Sequence, residues 1–124
     1  MKIKPLSPLE QEAMNIVWSF KQCTVRDVLR KLKNKNLAYT TVSTILTRLY
    51  EKGMLAKLGE GAAIIYEPKI EKKDYGKSVA GSFFAKFFHS FGDAAITSFA
   101  ESIEELPKKK KNYFLKLLKK RHEN

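Results

Sequence analysis

A chain of 124 residues has room for one domain, or for one small domain with a helical extension, and this size disfavours a large catalytic cleft. Its 44% apolar residues suffice for a packed core, and its formal charge of +11 attracts polyanions such as nucleic acid or an anionic membrane surface. The net charge is +6 over residues 1–70, −2 over 71–105 and +7 over 106–124, which suggests three stretches with different roles.

Two helix starts are readable near the N-terminus. Ser7, Pro8 and Glu10 have the order of a cap, a first helical residue and the partner of a capping box. Thr24 and Asp27 repeat the capping pattern three residues apart. Apolar residues follow each start at helical spacing, so the sequence predicts a first helix up to about residue 20 and a short second one.

A third helical pattern covers residues 38–52 and is followed by the signals of a hairpin. Asn36 and Thr40 are alternative caps for this helix, and Gly53 stands where a left-handed residue ends a helix. Two short apolar runs, 54–58 and 62–67, are separated by Gly59, Glu60 and Gly61. Three helices and a hairpin predict a winged helix-turn-helix domain over residues 1–70.

The rest of the chain, 71–124, is predicted to be helical again, with later helices near Asp93 and after Pro107. The fold class is thus mainly α with a small β-hairpin. A wide apolar stripe in this region is expected to form a homodimer, while packing onto the last two helices of the same chain is the alternative. The residues expected at the dimer face are Tyr75, Val79, Phe83, Phe84, Phe87, Phe88, Phe91, Ile96, Phe99, Phe114, Leu117 and Leu118.

The third helix has one apolar side and one side of short polar residues. Short side chains let a helix enter the major groove, where threonine offers a methyl group and a hydroxyl and arginine neutralises a phosphate. The alternative is a solvated face with Thr40 as a cap. The residues expected to contact DNA are Thr40, Thr41, Ser43, Thr44, Thr47 and Arg48.

The segment 37–53 resembles the third helix of the penicillinase-repressor (BlaI/MecI/CopY) family. Residues 6–18, with Leu, Glu, Met and Trp at spacings of four, are similar to that family's first helix, and Tyr66 with Pro68 resembles the end of its wing. The resemblance implies a bacterial transcriptional repressor that binds two half-sites of a palindromic DNA operator. It also implies that three C-terminal helices form the dimer and that Thr40, Thr41, Thr44 and Arg48 face DNA.

The chain departs from the family pattern in its wing and near its C-terminus. Where the family has a basic residue after the wing glycine, this chain has Gly61-Ala62-Ala63, so Lys57 is the cationic contact expected from the wing. Members of the antibiotic-responsive branch are cleaved at an Asn-Phe bond, and the aligned pair here is Ser98-Phe99. A regulatory protease or membrane sensor is therefore a partner that the resemblance implies without a matching cleavage motif.

No cofactor or metal site is predicted. Cys23, His89 and His122 supply no recognisable ligand set, and the clustered C-terminal cysteines of copper-responsive relatives are absent. Cys23 is the single cysteine and is expected to be a buried or half-buried thiol. No run approaches the roughly 18 apolar residues needed to span a bilayer, so a cytoplasmic protein without membrane insertion is expected.

Two functions from different classes remain open at this stage. The first is a DNA-binding repressor that uses helix 38–52, and the second is a winged-helix protein-interaction or assembly module without sequence-specific DNA binding. An enzyme is not expected, because no catalytic triad, Cys-His pair or phosphate loop is visible. The run Lys108–Lys111 is open to three readings: a nonspecific DNA contact, a membrane-surface helix or a solvated basic face.

Overall fold

The computed structural model describes residues 5–61 and 64–122, which form six α-helices, one 3₁₀ turn and two strands. The predicted fold class, mainly helical with a small hairpin, is confirmed. The elements are α1 (Pro8–Phe20), α2 (Val25–Lys31), the 3₁₀ turn (Lys33–Lys35), α3 (Tyr39–Glu51), β1 (Leu55–Leu58), β2 (Ile65–Pro68), α4 (Lys72–Phe91), α5 (Asp93–Glu104) and α6 (Lys108–His122).

Both predicted capping boxes are formed. At α1 the Glu10 N–H donates to the Ser7 hydroxyl at 3.2 Å, and the Ser7 N–H donates to the Glu10 carboxylate at 2.8 Å. At α2 the Asp27 N–H donates to Thr24 at 3.2 Å, and the Thr24 N–H donates to Asp27 at 2.9 Å. These reciprocal bonds satisfy backbone groups that the first helical turn leaves free.

The start of α3 differs from both predicted alternatives. The cap residue is Ala38, which has extended backbone and no side-chain oxygen to bond the first turn. Asn36 instead ends the preceding 3₁₀ turn in the left-handed conformation at φ +53°, and Thr40 already lies within the helix. Asparagine tolerates this conformation better than most residues, which explains its position. Gly53, at φ +80°, follows the end of α3 as predicted.

The two strands form an antiparallel pair that is tied to the helices by a third segment. β1 and β2 pair from Leu55 opposite Pro68 to Leu58 opposite Ile65. On the other side of β2, the Cys23 N–H donates to the Tyr66 carbonyl at 3.0 Å and the Tyr66 N–H donates to the Cys23 carbonyl at 2.8 Å. The buried thiol expected at Cys23 is confirmed, and burial, followed by the charge of Asp27, raises its pKa to about 11.

The chain divides into two compact units, Met1–Ala80 and Gly81–Asn124, within α4. In the first unit, apolar side chains of α1, α2, α3 and the hairpin form one core, with Met14, Leu46, Leu49 and Leu55 among its fully buried members. The Trp18 indole N–H donates to the Ile70 carbonyl at 2.9 Å. Burial of the core side chains of α1, α2 and α3 against those of the hairpin holds the hairpin on the helices.

The second unit contains the C-terminal part of α4 together with α5 and α6. Ala95 is the one buried residue among the described residues of this unit, so the unit has little core of its own. The predicted helix starts near Asp93 and after Pro107 are confirmed. Among the helices described over 5–61 and 64–122, none is long and apolar enough to cross a membrane.

Candidate nucleic-acid interface

Helix α3 has a fixed orientation because one side of it is part of the core. Val42, Leu46 and Leu49 are fully buried, and Ile45 nearly so, against α1, α2 and β1. A helix turns 100° per residue, so the residues between these positions form the outward arc. The predicted DNA contacts on this helix all lie outside the buried stripe: Thr40, Thr41, Thr44 and Arg48 are exposed, whereas Ser43 and Thr47 are half-buried.

Two hydroxyls of this arc are engaged as donors within the helix. The Thr44 hydroxyl donates to the Thr40 carbonyl at 2.9 Å, and the Thr47 hydroxyl donates to the Ser43 carbonyl at 2.9 Å. A hydroxyl that donates in this way still has lone pairs that accept hydrogen bonds. Thr44 is exposed and Thr47 is half-buried, so the acceptor and the methyl group of Thr44 are more accessible to a ligand than those of Thr47.

Sequence reasoning missed three residues beside the outward arc. The Arg26 guanidinium carbon, from α2, lies 5.2 Å from the ring centre of Tyr39. The Lys57 amino group, from β1, lies 4.8 Å from the ring centre of Tyr50. The sequence feature that could have indicated these residues is the spacing of the two tyrosines in α3. They are eleven residues apart, and this spacing places them on nearly the same side of the helix.

The wing has a mixed charge. Lys57 is exposed on β1, as the DNA contact predicted from the sequence requires, and Glu60 is exposed beyond the end of that strand. Ala62 and Ala63, which replace the basic residue of the family pattern, lie outside the described residues. A carboxylate near the tip opposes phosphate, so the wing offers Lys57 rather than its tip to a polyanion.

An ion pair joins the end of α3 to the start of α1. The Lys52 amino group donates to the Glu10 carboxylate at 2.7 Å and to the Pro5 carbonyl at 3.1 Å. Glu10 is the buried charged residue of the first unit's core region. Burial alone raises its pKa, but the bonds from Lys52 and from the Ser7 N–H outweigh burial and hold the pKa below its ordinary value. The pair fixes where α3 ends relative to α1.

Most of the predicted dimer face is exposed on the single chain. Phe83 is 58% exposed and stacks on Phe87 at 5.6 Å between ring centres, and Phe91 is 62% exposed and meets Phe87 edge to face at 5.4 Å. The other exposed members of this set are Val79, Phe88, Ile96, Leu117 and Leu118. Tyr75 is different, because it is 6% exposed and its ring packs 5.6 Å from Trp18 in the first unit.

Three aromatic rings of the second unit pack against one another across helices. Phe99 of α5 lies 4.8 Å from Phe84 of α4 and 6.1 Å from Phe114 of α6, measured between ring centres. These three residues and Phe87 are half-buried. The alternative of intramolecular packing therefore accounts for these half-buried rings, whereas Phe83, Phe88 and Phe91 are exposed.

The remaining C-terminal features lie on α5 and α6. Ser98 and Phe99 are in the middle of α5, where the Ser98 carbonyl accepts a bond from the Ser102 hydroxyl at 3.0 Å. In the Lys108–Lys111 run, Lys111 is paired with Glu104 at 2.6 Å and the other three lysines are exposed. Within the described parts of the chain, no three His, Cys, Asp or Glu residues are grouped as metal ligands would be.

A three-helix unit with a hairpin, whose third helix turns an arc of threonines and an arginine outward, defines a class: the winged-helix DNA-binding proteins. The profile of the penicillinase repressor family matches residues 6–120. The chain belongs to this family, and so to a class of transcriptional repressors. The resemblance noted in the sequence is thereby confirmed.

Relatives and solved structures agree with this assignment. The chain is 29% identical over 102 residues to the penicillinase repressor of Bacillus licheniformis, covering 82% of this chain and 80% of the relative. It is 25% identical over 101 residues to the methicillin resistance regulatory protein MecI of Staphylococcus aureus (strain N315), covering 81% and 82%.

Among solved structures, the chain is similar to the DNA binding domain of the repressor BlaI in solution, with 33% identity and a TM-score of 0.52. That match covers 60% of this chain and 92% of the BlaI domain. It is also similar to monomeric Bacillus licheniformis BlaI in complex with the blaP half-operator, with 32% identity and a TM-score of 0.50. Coverage is again 60% of this chain and 92% of the other.

Proposed function

We propose that this chain is a transcriptional repressor, not an enzyme, and that it binds a palindromic operator in double-stranded DNA as a homodimer. The observation that carries the proposal is α3, whose apolar side is buried while its opposite arc presents short hydroxyl residues and Arg48. The solved complex of BlaI with a half-operator supports a DNA partner for this fold. The protein would act in the cytoplasm, where the chromosome lies.

The proposed DNA contacts come from α3 and β1. Thr44 and Arg48 are placed for the major groove, with Arg48 on a phosphate or a base edge, and Lys57 contacts the backbone from the wing. Residues 1–70 form the DNA-binding part in this proposal and residues 71–124 the dimerisation part. The full set of proposed DNA-contacting residues is Thr40, Thr41, Ser43, Thr44, Thr47, Arg48 and Lys57.

The homodimer is supported by the exposed aromatic side chains of the second unit. Each phenylalanine that a partner covers contributes about 1.5–3 kcal/mol before the entropy of association is subtracted. A two-fold dimer also presents two copies of α3, which is the symmetry of a palindrome. A regulatory protease or membrane sensor is a further proposed partner, acting near Ser98-Phe99 of α5.

A titration with DNA from upstream of the protein's own gene tests the proposal. We expect a saturable complex that is at least about 10³-fold tighter than the complex with a mixed-sequence duplex at the same salt concentration. Replacing Arg48 with alanine should weaken both complexes and make their salt dependence shallower. Equal affinity for the two duplexes would instead favour the protein-interaction module.

A further inference from the structure

We propose that two tyrosines of α3 each hold a cation of a neighbouring element in place for a backbone phosphate of DNA, one at each end of the helix. The pairs are Arg26 on Tyr39 and Lys57 on Tyr50. This inference rests on the proposed function, because it requires α3 to lie in a groove of DNA. Arg26 and the two tyrosines are new here, since Lys57 alone is already expected from the sequence.

The two tyrosines lie near opposite ends of α3 and on nearly the same side of it. Tyr39 is the first residue of α3 and Tyr50 is eleven residues later, so the two lie about 16 Å apart along the axis and about 20° apart around it. The two residues are 41% and 43% exposed. Both therefore stand at one border of the outward arc, with the threonines and Arg48 between their levels.

Arg26 and Lys57 differ from several cations of this unit in what they contact. Arg30 is 3.6 Å from Asp27 and Lys35 is 3.3 Å from Glu12, whereas Lys31 lies 5.8 Å from the ring centre of Phe20, which belongs to α1 and not to α3. Over residues 5–61 and 64–122, the structure gives Arg26 and Lys57 no carboxylate within 4.0 Å. The face of an aromatic ring attracts a cation without neutralising it, so the cation keeps its full charge for another ligand. A carboxylate neutralises the cation instead.

The positions of the two cations match the arrangement of phosphates around the major groove of DNA. The major groove is about 12 Å wide, so a helix inside it has rows of phosphates near both of its ends. Two exposed cations, one beside each end of α3, suit those two rows. Cations already held by rings lose less side-chain freedom on binding than free ones. Tyr39 and Tyr50 act here as positioning residues, and Arg26 and Lys57 as the phosphate contacts.

The cations are tested by the salt dependence of DNA binding with the full-length chain. The probes are the upstream DNA and a mixed-sequence duplex of about three helical turns, because phosphate contacts act on both. For Arg26→Ala and Lys57→Ala, we expect the slope of log affinity against log salt to shrink by about 1 per protomer on either probe. Lys35→Ala, which removes a carboxylate-paired cation, is the matched control and should keep the wild-type slope.

The rings are tested by paired substitutions. Tyr39→Phe and Tyr50→Phe keep the ring and should keep the wild-type slope, whereas Tyr39→Leu and Tyr50→Leu should shrink it toward that of the corresponding alanine variant at Arg26 or Lys57. If the leucine variants keep the slope, or if phenylalanine and leucine act alike, the ring does not position the cation. Thermal unfolding of each variant verifies that these exposed substitutions leave the protein folded.

Failure of the proposed function and failure of the present inference are distinguishable. Wild-type protein that binds both probes equally contradicts the proposed function. Wild-type protein that prefers its upstream DNA, while Arg26→Ala and Lys57→Ala keep its salt slope, overturns the present inference and the Lys57 contact but leaves the operator-binding repressor in place.

Discussion

Threonine is an unusual choice for the outward arc of α3, because it is a poorer helix former than alanine by a few tenths of a kcal/mol. The hydroxyl of Thr44 is bound to the Thr40 carbonyl, so the exposed side chain presents a methyl group and acceptor lone pairs. An acceptor matches the amino groups of adenine and cytosine, and a methyl group matches that of thymine. At the scale of single residues, the proposed function therefore predicts that the internal bond restricts which base edges Thr44 reads.

Thr44→Val is the substitution that tests this restriction. Valine keeps the shape and a methyl group but removes the acceptor, so discrimination among bases at one position of each half-site should fall by about 0.5–1.5 kcal/mol. Thr97→Val is the control, because its hydroxyl makes the same kind of internal bond, to the Asp93 carbonyl at 3.2 Å, and lies on α5 outside the proposed DNA contacts. Affinities for a set of singly substituted operators provide the measurement, and equal effects of both variants would contradict the assignment.

The outward arc could be predicted from the sequence because it follows from the helical period of Val42, Ile45 and Leu49. The contact of Arg26 with Tyr39 could not, since it depends on how closely α2 approaches α3. Tyr75 belongs to the predicted stripe by its spacing, yet its ring is buried next to Trp18. Spacing shows which residues share a face, but it does not show what covers that face.

At the scale of elements, local capping signals determine some helix ends, and contacts between distant residues determine others. The starts of α1 and α2 are set by capping boxes three residues long and are readable in sequence. The start of α3 has no such signal, because Ala38 offers no side-chain oxygen, and burial of Val42 and Leu46 determines it instead. Its other end is held to α1 by Lys52 and Glu10, a pair 42 residues apart in the chain.

Glu10→Gln should expose the contribution of this ion pair through its pH dependence. The pKa of Glu10 is lowered on folding from its ordinary value of 4.5, so the stabilisation is present above that value and is lost as the pH falls through the lowered pKa. The variant should be less stable at pH 7 by about 1–2 kcal/mol, and the difference should narrow below about pH 4.5. Glutamine still accepts the Ser7 N–H bond, which isolates the charge.

Urea unfolding at one protein concentration and several pH values measures this difference, since association shifts apparent stability. Glu12→Gln is the matched control, because its contact with Lys35 is half exposed and should contribute less than about 1 kcal/mol. A Glu10→Gln deficit that stays constant from pH 7 down to pH 3 would show that the carboxylate charge is not responsible.

At the scale of the whole molecule, the two compact units differ in how completely they bury their apolar side chains. The first unit completes its own core, including the hairpin, whereas the second leaves large aromatic side chains such as Phe83 and Phe91 open to water. Exposure of this extent is typical of a surface that another protein covers. The helical pattern of α4 to α6 was predictable, but the sequence alone did not reveal that Phe84, Phe99 and Phe114 would pack across helices.

Phe83→Glu tests whether this surface joins two copies of the chain. A charge placed in an apolar interface opposes association, so the variant should sediment as a monomer at micromolar concentration where the wild type is a dimer. Ser82→Glu changes the charge equally on an exposed neighbouring position and should remain dimeric. Wild-type protein that is monomeric under the same conditions would contradict the dimer.

The central claim, that paired copies of α3 read a palindromic operator, is tested most directly by a footprint of the complex on the upstream DNA. The account predicts two protected segments of related, inverted sequence, centred about one or more helical turns (each ~10 base pairs) apart, and loss of both with Arg48→Ala at elevated salt. A single protected segment, or protection that does not depend on sequence, would contradict it.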